Sequence, residues 1–173
     1  MKEVSISEVW KKKYPERVVV AVTWDRENNR ANLIPLGWFM QTSFSPPLVS
    51  ISVGITRYSH TLLQKEKEFT IFFPSKKMGD KVYYWGTHSG KDVDKLKEGP
   101  VDTEKARYVR PPLVKNAPIN LECKVVDSLR TGDHTIFVGR ILAAYIEEEE
   151  EILMNFGEYR FGGIKEKEIL FIP

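Results

Sequence analysis

The chain has 173 residues, 42% of them hydrophobic and 29% charged, with a formal net charge of +2; this describes one globular domain with a sizeable core, and leaves too little chain for two comfortable ones. The charge is too small and too evenly spread to suggest a nucleic-acid partner, and no apolar run approaches the roughly 20 residues that a membrane-spanning helix needs. The single cysteine, Cys123, excludes an intramolecular disulfide and a cysteine-cluster metal site, and its apolar neighbours mark it as a core thiol in a strand.

The opening MKEVSISEVWKKKYPE carries acidic residues and lacks the apolar stretch of a secretory leader, so a cytoplasmic location is expected, with residues 11–13 as a solvated basic terminus. RVVVAVTW (17–24) is a continuous β-branched run, DRENNR (25–30) a polar turn, and ANLIPLGWFM (31–40) a second strand that Pro35 interrupts. PPLVSISVGI (46–55) alternates, placing Val49, Ile51, Val53 and Ile55 on one face and Ser50, Ser52 and Gly54 on the other. Such a small-residue face either packs closely on another backbone or leaves room for a ligand.

Ser59 is positioned to cap a short helix before the strand FTIFFP, and Ser75 to cap a helix running through Trp85. Gly86 would end that helix in the left-handed conformation. Asp92 is a candidate cap for DVDKLKE, which Gly99 stops, and residues 100–118, rich in proline and charge, form a wrapping segment. Two long strands, INLECKVVDSL (119–129) and HTIFVGRILAAYI (134–146), are joined by the turn RTGD and should pair antiparallel. The five glutamates 147–151 read as a solvated loop, and the aromatic tail 152–173 as a segment that packs on the body or on a second subunit. The simplest arrangement is mainly β, a closed or nearly closed antiparallel barrel with a few peripheral helices, within a single domain whose core spans 18–146.

The chemistry is narrowed by what is missing. His60, His88 and His134 stand singly, without the spacing of a metal site, and neither GxSxG nor GxGxxG occurs. GTHSGKDVDKL (86–96) has the ingredients of a phosphate cradle, but only three residues separate Gly86 from Gly90 and Asp92 follows Lys91, so it is not a loop for a nucleoside triphosphate with magnesium. A second polar set, Thr42, Ser43 and Ser45 with Arg57, Ser59, His60 and Thr61, surrounds the small-faced strand. Arg57 with the Ser59 and Thr61 hydroxyls at a helix start suits a phosphate; equally, Ser59 suits a plain cap and Arg57 the surface.

Taken in order, four stretches resemble the flavin reductase-like family of FMN-binding split barrels, which includes flavoredoxin and ferric reductase. They are NLIPLGWFMQTSFSPPLVSISVG, TRYSHTLLQKEKEFTI, GTHSGKDVDKL and INLECKVVDSLRTGDHTIFVGRI, covering about residues 18–146. The resemblance implies an antiparallel split barrel that binds FMN at a homodimer interface and takes hydride from NAD(P)H for an acceptor such as free flavin, ferric chelate or a redox protein. A non-catalytic FMN electron carrier is the alternative it implies, and a flavin-free ligand-binding barrel a further one. By position, Trp38, Phe39, Met40, Gln41, Thr42, Phe44 and Ser45 would line the flavin ring. Arg57, Ser59 and Thr61 would hold its phosphate with support from Ser89, Gly90 and Lys91, and His134 is the candidate catalytic residue, orienting the nicotinamide. Pro35-Leu36-Gly37-Trp38 departs from the family's usual residues, and the tail residues Phe156, Tyr159, Arg160 and Phe161 would contribute from across a dimer.

Overall fold

The structure, a computed structural model, describes residues 1–147 and 151–163. Most of the acidic run and the last ten residues of the tail therefore lie outside the described residues. In chain order the elements are α1 (Ile6–Lys11), β1 (Glu16–Arg17), β2 (Val19–Asp25), β3 (Arg30–Leu36), β4 (Phe39–Ser43), β5 (Leu48–Gly54), α2 (Tyr58–Glu66) and β6 (Glu68–Phe73). There follow α3 (Gly79–Thr87), α4 (Lys95–Glu98), β7 (Thr103–Glu104), β8 (Leu113–Val114), β9 (Ile119–Thr131), β10 (His134–Ile146), β11 (Met154–Asn155) and β12 (Phe161–Gly162).

Seven strands form one sheet in the order β3-β2-β6-β9-β10-β5-β4 with every neighbouring pair antiparallel. The two edge strands, β3 and β4, are consecutive in the chain, so the residues 37–38 between them join the sheet's two edges covalently. This is the mainly β split barrel with a few short helices.

Periodicity explains the packing. Val19 and Ala21 of β2 point into the barrel with Val49, Ile51 and Val53, Phe69 and Ile71, Cys123 and Phe137. Val20 and Val22 point the other way, onto a second core with Leu33, Phe72, Val82 and Trp85 beneath α3. A strand buried on both faces has no polar alternation to display, hence the unbroken β-branched run. Burial pushes the Cys123 thiol up to about 12, with Glu122 beside it adding to the effect, as suits an inert core residue.

Several local expectations need correction. The strand expected over 31–40 divides at residues 37–38 into β3 and β4, and Ser75 does not cap α3, which starts at Gly79 with Met78 at the cap position. Pro35 does not interrupt β3; it pairs with Val20 on an edge strand, where its missing N–H costs no ladder hydrogen bond. Gly86 lies inside α3, and the helix ends without a left-handed glycine, because the Thr87 hydroxyl donates to the Tyr83 and Tyr84 carbonyls and His88 Nδ1 bonds that of Tyr84. Asp94 rather than Asp92 caps α4, accepting from the N–H groups of Leu96 and Lys97, and Gly99 follows as expected. Residues 103–118 are tied down by Glu122, which is 0% exposed and accepts from the N–H groups of Arg107 (2.9 Å), Tyr108 (2.6 Å) and Val109 (3.2 Å) and from the Tyr145 hydroxyl (2.7 Å).

Candidate functional site

Where β3, β5, α2 and α3 meet, a cleft of about 560 Å³ opens, within the range of small-molecule and cofactor sites. Its position follows from β5: the apolar residues of that strand fill the barrel, while Ser52 and Gly54 line the cleft. The β5–β10 register sets His134 opposite Gly54, and Arg57 leaves the strand three residues later, so the two side chains flank that glycine. Thr56, Arg57, Tyr58 and Ser59 all line the cleft. The start of α2, with its positive dipole end, is therefore part of the wall.

Ser59 is not a cap. The helix begins at Tyr58 with Arg57 at the cap position and no capping side chain, and Ser59 is buried in the first turn, accepting 2.8 Å from Asn32 Nδ2. Its hydroxyl hydrogen stays free to donate. Asn32 Nδ2 also donates to Thr23 Oγ1 at 3.0 Å, whereas Asn32 Oδ1 is buried without a partner. Gly90 packs on that oxygen so closely that a Cβ there would lie 1.8 Å from it, and Arg30 holds the Gly90 carbonyl at 2.8 Å. Through Asn32 and Arg30, β3 thus binds the Ser59 side of the cleft to the 89–90 loop.

Lys95 forms part of the floor. It is 5% exposed, and its ammonium donates to the carbonyls of Leu33 (2.7 Å) and Trp85 (2.6 Å). Burial, and then the nearby Arg57 charge, lower its pKa to about 8. Neither Lys95 nor Arg57 forms an ion pair among the described residues. Two neighbouring cations without a carboxylate make a receptor for an anion.

At the wall, the Trp38 ring lies 4.7 Å from that of His134, tilted by 44°, and His134 Nδ1 meets Asp133 Oδ1 at 2.7 Å. Lys13 sits over both the Tyr14 and Trp38 rings and pairs with Glu16. Trp10, Lys13, Tyr14 and Glu16 all line the cleft, so the basic N-terminal stretch is not merely a solvated end.

Of the residues singled out from sequence, the cleft brings together Trp38, Arg57, Ser59, Ser89, Gly90 and His134. Phe39 turns inward to meet Phe73 edge-on at 5.4 Å, while Met40, Gln41, Thr42, Phe44 and Ser45 lie exposed along the open edge strand β4 and the turn after it. Thr61 faces a separate small cleft with Tyr58 and Lys65, and the Lys91 side chain is exposed outside the lining. Sequence reasoning missed Asn32, Lys95 and the N-terminal aromatics. A lone amide inside the apolar run ANLIPL was the available signal for the first; nothing in DVDKLKE distinguishes Lys95 from its solvated neighbours.

The described part of the tail lies on its own chain: Ile152 bridges Ser75, Leu153 is buried in the core beneath α3, and Phe161 packs beside it. Among the described residues no helix is long and apolar enough to cross a membrane, and no group of three His, Cys, Asp or Glu side chains is placed to hold a metal ion.

Comparison with known proteins agrees with this architecture. An FMN-binding protein from Thermus thermophilus, solved with bound 1-cyclohex-2-enone, superposes with a TM-score of 0.85 at 27% identity, covering 100% of this chain and 98% of that one. An uncharacterized protein of Pyrococcus abyssi is 36% identical over 136 residues, 79% of this chain and 77% of its own. An NADH-dependent FAD reductase of Streptomyces globisporus is 30% identical over 124 residues, 70% of this chain and 67% of its own. Residues 11–163 match the profile of the flavin reductase like domain, and the chain belongs to that family.

Proposed function

We propose that the cleft binds FMN and that the protein is a flavin-dependent oxidoreductase using NAD(P)H as hydride donor. The observation that carries this reading is the pairing in one cleft of two uncompensated cations, Arg57 and buried Lys95, with an aromatic wall of Trp38 and His134. The residues fit the group. The guanidinium and ammonium take a phosphate dianion, the Ser59 O–H adds a donor, and the missing side chain at Gly90 lets the 89–90 loop close on Asn32.

Bound flavin supplies a ring that accepts a hydride from reduced nicotinamide and passes its electrons onward. The chain supplies the rest. Trp38 limits water at the ring, and His134, fixed by Asp133 on one nitrogen, keeps the other to orient the nicotinamide carboxamide. The free edge of β4 and the turn after it, with Met40 56% and Phe44 87% exposed, support a homodimer in which a second copy covers that strand and brings residues 40–45 to the flavin.

The test is a visible spectrum of the purified protein with added FMN, then with NADH under argon, beside Arg57→Ala. A resolved flavin band that bleaches with NADH, and weaker binding by the variant, is expected. Binding without bleaching would leave an electron carrier reduced by a protein donor, and no binding would overturn the reading.

A further inference from the structure

A second cavity of about 570 Å³ adjoins the cleft and shares Tyr14 and residues 35–37 with it, and the flavin reading makes no use of it. Its chemistry is the reverse of the cleft's. Among the described residues that line it none is Lys or Arg, while Tyr14, Tyr83, Tyr159 and Phe161 supply four aromatic rings and Asn155 and Glu158 the polar groups beside them. The formal charge of this lining is that of Glu158, whose carboxylate has no hydrogen bond or ion pair among the described residues. Lys13, Lys81 and Arg160, neighbours of the lining residues in sequence, are engaged elsewhere: Lys13 pairs with Glu16, Lys81 donates to the Pro100 carbonyl, and Arg160 donates to the carbonyls of Gly157 (3.3 Å) and Phe156 (3.2 Å). The first cleft suits an anion; this one suits a cation.

The walls are built by an unusual turn. Gly157, Glu158 and Tyr159 take positive φ values of 84°, 51° and 59° in succession, each of the latter two being costly for a residue with a side chain. Gly157 N–H donates to Asn155 Oδ1 (2.9 Å) and Phe156 N–H to the Arg160 carbonyl (2.8 Å), which hold the turn closed. Its consequence is to set Tyr159 edge-on to Tyr83, with ring centroids 5.5 Å apart and planes at 89°, so that the two rings make a corner beside the Glu158 carboxylate. A Cβ on Gly157 would lie 2.8 Å from the Tyr14 ring, so the same turn seats a third aromatic wall.

We infer that this cavity is a site for a small-molecule quaternary ammonium ion, its methylated head held among the tyrosine rings and its charge met by Glu158. The faces of aromatic rings carry negative potential and attract a cation, and a cage of several rings is the usual receptor for a nitrogen that has no N–H to donate. A primary ammonium is served less well. It brings three donors, and Asn155 Oδ1 is already taken by the Gly157 N–H. An anion would meet the Glu158 charge without a lining cation to offset it. The site stands independently of the cleft's assignment to flavin.

The test is calorimetry on the full-length protein with three probes of similar size: choline, neohexyl alcohol, in which carbon replaces the ammonium nitrogen, and ethanolamine, which lacks the methyl groups. Choline should bind about tenfold tighter than either of the others, the scale of a partly desolvated cation over aromatic faces. Glu158→Gln should weaken choline severalfold and leave neohexyl alcohol unchanged. Tyr159→Leu, which keeps apolar bulk without the ring, should shrink the ratio of choline to neohexyl alcohol in the same way. FMN affinity of both variants stays within about twofold of wild type, since neither residue lines the first cleft, and this reports that they fold. Equal affinity for choline and neohexyl alcohol would mean an apolar crevice only and would overturn the inference. So would ethanolamine binding as tightly as choline, no choline binding, or ratios that both variants leave unchanged.

Discussion

Two buried charges lie in different regions and are treated oppositely. Glu122, beneath the wrapping segment, has three backbone amides and a tyrosine hydroxyl on its two oxygens. Burial alone would raise its pKa, but the hydrogen bonds from Tyr145 and from Arg107, Tyr108 and Val109 outweigh that and hold it below the usual carboxylate range. Lys95, on the cleft floor, has two neutral carbonyls and a like charge, Arg57, for company. A buried charge with a complete partner set fixes the fold. One that meets only neutral carbonyls, with a like charge nearby and no ion pair among the described residues, is kept for an anion that comes from outside.

The largest effect expected from this contrast is on stability. Glu122→Ala orphans three N–H groups, and urea unfolding should show a loss of about 3 kcal/mol, while FMN affinity of the folded fraction stays within about twofold. Because Glu122's folded pKa lies below its unfolded value, its contribution is present above the unfolded pKa and fades as pH falls through the folded one, so the gap between wild type and variant should shrink in acid.

On the cleft side the losses fall on binding. Gly90→Ala drives a Cβ into Asn32 and should weaken FMN roughly thirtyfold, as overpacking of about 2 kcal/mol would. Lys95→Met should weaken FMN about tenfold and leave riboflavin, which has no phosphate, within about twofold. Its stability should change by no more than about 1 kcal/mol, because removing a buried charge that has no counter-ion among the described residues offsets the loss of its hydrogen bonds to the Leu33 and Trp85 carbonyls. If Lys95→Met destabilises as Glu122→Ala does, the contrast fails.

The smallest effect is in pH. Lys95 titrates near 8 in the free protein, so FMN affinity should fall severalfold as pH rises through that value, and the variant Lys95→Met should lose this dependence. The stability sign is opposite: with the folded pKa below the ordinary lysine value of about 10.4, the unfolded chain binds the extra proton between the two. Lys95 alone therefore makes the protein more stable as pH rises across that window.

How much of this is legible in the sequence depends on how local its cause is. The β-branched run of β2, the alternation of β5 and the two-residue turn at Gly132, with φ +64°, are set by near neighbours and fall where periodicity puts them, whereas the single strand expected over 31–40 divides into β3 and β4 at opposite edges of the sheet, a pairing that only distant strands decide. Helix ends misled, because Thr87 and His88 met at Gly86 the need a left-handed glycine usually meets, and because Asn32, distant in sequence, claimed the Ser59 hydroxyl. Within the cleft, Arg57, Ser59 and Gly90 were readable from residue type and order. Lys95 was not: its burial comes from contacts with Leu33 and Trp85, and a lysine in a charged stretch carries no mark of them. Thr61, two residues after Ser59, points to the other side of its helix, a consequence of turning about 100° per residue.

The central claim is that this cleft receives a flavin by its phosphate, and the direct test is to titrate FMN and riboflavin against the wild-type protein by flavin fluorescence. The account predicts FMN binding about a hundredfold tighter than riboflavin, as two charge-assisted contacts at 1.5 kcal/mol or so each imply. Equal affinities would mean that Arg57 and Lys95 serve no phosphate, and would contradict it.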